Sequence, residues 1–71
     1  MATQVLAHIT GTVWQVEKGI GDAVEEGDVV VILESMKMEN ELRAPRDGAV
    51  SSVRVQPGQS VDQGQTLITL A

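Results

Sequence analysis

Short apolar runs separated by glycine-bearing breaks occupy this chain from end to end. Val29 to Leu33, "V-V-V-I-L", is a continuous run of strand-forming residues, and Glu39 to Arg43 then alternates polar and apolar positions with Leu42 on the inward side. Two such runs around a short break predict a β-hairpin. The other breaks hold glycine in turn-like contexts: "I-T-G-T", "G-I-G-D" and "E-E-G-D" early, "R-D-G-A", "Q-P-G-Q" and "D-Q-G-Q" late. Glycine takes positive φ without steric cost and so punctuates short strands. One window competes with this reading. Val16, Ile20, Ala23 and Val24 stand at helical spacing, but Gly19, Gly21 and Gly27 would interrupt that helix.

The pattern is also duplicated. A shift of 37 residues lays Ala7 on Ala44, Gly11 on Gly48, Val13 on Val50 and Val16 on Val53. The register persists through Gly21 and Gly58, Val24 and Val61, Gly27 and Gly64, and Leu33 and Leu70. Each half predicts about four short strands, too few to bury their own apolar face, and two halves can share one core if they interlock. The expectation is a single all-β domain over residues 1–71, with half-repeats at about 4–33 and 41–70 joined by a hairpin at 34–40. Its architecture is a flattened barrel or sandwich of two four-stranded antiparallel sheets with an internal pseudo-two-fold, which also protects strand edges. The predicted core is Val5, Ile9, Val13, Val16, Val24, Val30, Ile32, Leu42, Val50, Val53, Val61, Leu67 and Leu70. The two-fold leaves the junction projecting and sends the chain termini to the other end.

The candidate chemistry lies at the tip of that hairpin, in "E-S-M-K-M-E-N", residues 34 to 40. Tight hairpin breaks favour Asn-Gly, Asp-Gly or another glycine, yet the break here is Met36-Lys37. Neither residue reaches positive φ cheaply. Local rules fail where a site is displayed, so Lys37 is the first candidate. A Schiff-base or general-base lysine needs desolvation or a cationic neighbour. Glu34, Glu39 and Glu41 instead favour the ammonium form. What remains is an ordinary solvated turn lysine or one modified by an external enzyme, which would supply the proton acceptor and the activated acyl donor.

Composition narrows the classes. A formal charge of −5, no Phe or Tyr and the lone Trp14 argue against nucleic acid and anionic membrane as partners. Without cysteine there is no disulfide or thiolate metal site, a composition compatible with the cytoplasm. The opening residues do not resemble a signal peptide, and no apolar run approaches the roughly 20 residues that span a bilayer. "G-I-G-D-A-V" lacks the third glycine and the context of a dinucleotide loop, and Asp22, Glu25, Glu26 and Asp28 lack calcium-loop spacing, so no metal site is expected. His8 reads as a strand-surface residue, Trp14 as structural, and Pro57-Gly58 as a turn.

"E-S-M-K-M-E" within this repeat closely resembles the attachment motif of biotinyl domains, the biotin carboxyl carriers of biotin-dependent carboxylases. The resemblance runs from Val5 to Leu70 and includes the "A-x-x-x-G" opening of each half. Related lipoyl domains share the fold but carry Asp-Lys-Ala-like surroundings, so Met36 and Met38 point to biotin, with a lipoyl carrier of a dehydrogenase or glycine-cleavage system as the alternative. The chain departs from some relatives: it lacks an inserted "thumb" between Val16 and Val24, and "L-A-H-I-T-G" stands where many have Ala-Pro-Met. The resemblance implies that a biotin protein ligase makes biotinyl-adenylate and that the Lys37 amine attacks it. A biotin carboxylase subunit then loads the carboxyl group, and a carboxyltransferase subunit passes it to an acceptor, expected to be an acyl-CoA. Neither step needs a catalytic group on this domain, which is thus expected to be a cytoplasmic carrier and not itself an enzyme. Met36 and Met38 are expected to be soft contacts for partners and the biotin ring. Glu34 and Glu39, with Ser35 between Glu34 and the turn, are either recognition residues or solvated strand ends. Met1 and the stop after the last strand suit a free-standing carrier.

Overall fold

Strands form where the alternating pattern places them. The structure, a computed structural model, describes residues 2–71, so Met1, with which the expected domain opens, lies outside the described residues. The strands are β1 (Thr3–Leu6), β2 (Gly11–Val16), β3 (Ala23–Val24), β4 (Val29–Ser35), β5 (Met38–Arg43), β6 (Gly48–Val53), β7 (Ser60–Val61) and β8 (Thr66–Leu70). They make two four-stranded antiparallel sheets, ordered β1-β8-β6-β3 and β5-β4-β2-β7. No helix occurs among the described residues; the competing window from Val16 to Val24 is the end of β2, a turn and β3.

The repeat is written into the hydrogen bonds. Ala7 donates its N–H to the Gln65 carbonyl at 2.9 Å and accepts from Gly64, while its counterpart Ala44 donates to Asp28 at 2.8 Å and accepts from Gly27. Val13 likewise bonds the Gly58–Gln59 turn, and Val50 bonds the Gly21–Asp22 turn. Every one of these bonds joins one half to the other, which is how two incomplete units interlock. The four turn glycines Gly21, Gly27, Gly58 and Gly64 all have φ between 89° and 92°, as their contexts predict. Irregularities obey the same shift: β2 bulges at Trp14 and β6 at Ser51, and pairing skips Val30 on β4 and Leu67 on β8.

One core fills the space between the sheets. Val5, Val13, Val24, Val30, Leu42, Val50, Val61, Leu67 and Leu70 belong to it as expected, joined by Ala7, Val31, Leu33, Ala44, Val55 and Ile68. Ile9, Val16 and Val53 are only half-buried, because Ile9 lies in the bend before β2 and the two valines end their strands. Ile32 is buried but does not belong to the core cluster. It lies between the inward-facing Val31 and Leu33 and therefore points to the outer side of the sheet.

Candidate functional site

The hairpin closes tightly. β4 and β5 stay paired from Val29 opposite Arg43 to Ser35 opposite Met38, leaving Met36 and Lys37 alone in the turn. Their φ angles are 54° and 64°, both left-handed, which is the geometry a two-residue hairpin loop requires. For side chains other than glycine this conformation costs about 1–2 kcal/mol per residue, and the paired strands below must hold it. Lys37 is exposed, and its amine forms no hydrogen bond or ion pair among the described residues. Met36 is 88% exposed and Met38 67%, so both thioethers flank the amine in solvent rather than filling the core.

The base of the hairpin is equally specific. A Cβ on Gly11 would stand 2.6 Å from the Glu34 carbonyl oxygen and 3.3 Å from Ser35 Cβ, so only glycine lets β2 lie this close beneath the turn. Asn40 donates through Nδ2 to the Met38 carbonyl at 3.2 Å. Glu34 stands directly opposite Glu39, an arrangement in which like charges repel across the strands. Glu41 is instead ion-paired with Arg43, whose guanidinium also donates to the Gly27 carbonyl. Ser35 is half-buried under the turn. The support from Gly11 had no local signature beyond its place in the repeat, because the contact it permits is made across strands.

This arrangement presents an amine and encloses nothing. The depression lined by Gln4, Arg54, Gln65, Thr66 and Thr69 lies on the other sheet, and Lys37 stands exposed outside it. A long acyl chain joined to Nζ therefore fits without displacing any group of the protein. Among the described residues no polar or charged side chain is buried, and no cluster of His, Cys, Asp or Glu could hold a metal. His8 is exposed in the bend after β1, not on a strand as its context suggested, since β1 ends at Leu6. No helix among the described residues is long and apolar enough to cross a membrane.

Known proteins match this geometry. Residues 2–70 fit the biotin/lipoyl family model, described as "Biotin-requiring enzyme". The biotin carboxyl carrier protein of Streptococcus mutans is 44% identical over 70 residues, 99% of this chain and 54% of that protein, so the chain spans about half of that relative. The biotin carboxyl carrier protein of acetyl-CoA carboxylase from Solanum lycopersicum is 41% identical over 66 residues, 93% of this chain and 94% of that protein. The urea carboxylase of Kluyveromyces lactis superposes with a TM-score of 0.95 at 31% identity, covering all of this chain and 6% of that one. This chain belongs to the biotin/lipoyl attachment family of biotin-requiring enzymes.

Proposed function

We propose that Lys37 is the attachment point of a covalent biotin and that the domain is a biotin carboxyl carrier working in the cytoplasm. The observation that carries this reading is the two-residue turn that holds Lys37 in a left-handed conformation between two exposed methionines. A structural turn would use Asn-Gly there; a displayed lysine explains the departure. Acylation by a biotin protein ligase turns the ammonium into an amide, and the formal charge moves from −5 to −6. Bound biotin supplies a ureido nitrogen able to take up and give up a carboxyl group.

The protein's own part is placement. Lys37 and an attached chain reach roughly 10–15 Å, so the paired β4–β5 arms must carry the group between a biotin carboxylase and a carboxyltransferase. The acceptor is proposed to be an acyl-CoA, in keeping with the acetyl-CoA carboxylase relative. Glu34, Ser35, Met36, Met38 and Glu39 are proposed as the flanking recognition residues, the methionines as polarizable contacts.

The test is intact mass after incubation with MgATP and either biotin plus biotin ligase or lipoate plus lipoate ligase. The biotinylated product is then given biotin carboxylase, MgATP and labelled bicarbonate. One biotinyl addition followed by label on the protein is expected. A lipoyl addition alone moves the chain to the lipoyl carriers, and no addition on a folded sample removes the reading.

A further inference from the structure

The 37-residue repeat relates the two outer faces of the barrel, yet the faces are finished differently. On the face beside the hairpin, Ile32 sits between Gln15 of β2 and Glu41 of β5. Trp14, extruded at the β2 bulge, is 50% exposed next to it. Glu34 and Glu39 form the adjacent row toward the turn. On the other face the same backbone carries Ser51 at the equivalent bulge and Thr69 in place of Ile32, and the Ser51 hydroxyl donates to the Thr69 carbonyl at 3.2 Å. Gln4 and Ala71 stand where the first face has Glu41 and Glu34. The fold therefore accommodates small hydroxylated residues at these positions, and neither the bulge nor the sheet demands an indole.

We propose that Trp14, together with Glu34 and Glu39 on the same face, forms the docking surface through which the enzyme that acylates Lys37 holds this domain; this rests on the biotinylation reading above. Bulges re-aim side chains, and here the bulge turns the only aromatic residue outward on the face that adjoins the lysine. Ile32, itself buried, marks the level of the Trp14 bulge; it lies three residues from Ser35, about 10 Å along the strand, so a partner closing over the turn reaches the indole. The unrelieved Glu34–Glu39 pair calls for Lys or Arg around an apolar socket. A second copy of this chain meets neither need, because its matching face is acidic and its net charge is −5. A carboxylase that holds the carrier in one complex gains effective concentration from tethering, whereas the ligase meets it by free encounter and depends on surface contact.

The experiment measures biotinylation kinetics with biotin protein ligase, biotin and MgATP against concentration of wild type, Trp14→Ser and Ser51→Trp, each checked by thermal melting. Trp14→Ser installs the residue of the opposite face. The expected result is a roughly tenfold higher KM in Trp14→Ser with kcat retained and no rise in Ser51→Trp. Added NaCl should lower kcat/KM of the wild type and of Trp14→Ser in parallel, since the carboxylates still steer. An unchanged KM in a folded Trp14→Ser overturns the docking surface while leaving biotinylation intact. A Trp14-dependent dimer in sedimentation with unchanged ligation assigns the face to a second copy, and a defect confined to the carboxylation step assigns it to the carboxylase; both overturn the proposal. A wild type that accepts no biotin overturns the Lys37 reading itself.

Discussion

Replacing Met36-Lys37 by Asn-Gly should make this protein more stable and end its function. Both residues lie at positive φ, 54° and 64°. Each left-handed residue other than glycine costs about 1–2 kcal/mol; glycine relieves that cost fully and asparagine in part. Against this, glycine loses roughly 0.5–1 kcal/mol more than alanine through chain entropy on folding. The net gain for the double variant is about 1–3 kcal/mol. In a domain of this size each kcal/mol moves Tm by about 4–8 °C, so the melting transition should rise by roughly 5–20 °C. Far-UV circular dichroism melts and urea titrations read this directly, and an unchanged urea m-value would place the change in stability alone. Lys37→Ala with Met36 kept is the control; it retains the strained turn and should melt close to wild type. A double variant no more stable than that control would refute the claim that the turn stores strain.

Ile20 occupies the first central position of the Gly19–Asp22 turn, where the repeat places Pro57, and Gly21 follows with φ 89°. Ile20→Pro should stabilise by about 0.4–1 kcal/mol in a chemical denaturation curve, and a loss would show that the two turns are not equivalent. Gly11→Ala forces a Cβ to 2.6 Å from the Glu34 carbonyl and should cost about 1–3 kcal/mol; ligation by biotin ligase should slow with it as the base of the hairpin shifts. Leu33 is fully buried, and Leu33→Ala should cost about 2–5 kcal/mol, seen as a lower urea midpoint.

Some of this was legible in residue order and some was not, for identifiable reasons. The period of two and the duplicated glycines carry the two-sheet architecture, because turns that need positive φ mark themselves with glycine. Lys37 stands out as the candidate because it breaks the preference of a tight hairpin, and the turn does hold it at positive φ. The core was harder. Pairing skips Val30, so Val30 and Val31 are both buried and the alternation resumes with Leu33 inward and Ile32 outward. A strict alternation read from Val30 and Ile32 lands on the wrong side from Val31 onward. The Trp14 bulge likewise has no signature in its neighbours, since it is a mismatch of register between β2 and β4. Nothing in residue order sets Glu34, Glu39 and Glu41 apart from the other acids, but pairing brings them onto one face beside the lysine. Long-range placement of this kind follows from strand register and not from local composition.

The central claim is that this one lysine, lifted by this one turn, is the group that is acylated. Lys18 and Lys37 are the only lysines in the chain, and Lys18 is half-buried just after β2. Tandem mass spectrometry of proteolysed protein after treatment with biotin ligase, biotin and MgATP, run beside Lys37→Arg, reads the attachment position directly. The expected result is biotin on Lys37 alone and none on the variant. Biotin on Lys18, or undiminished incorporation in Lys37→Arg, would contradict the account.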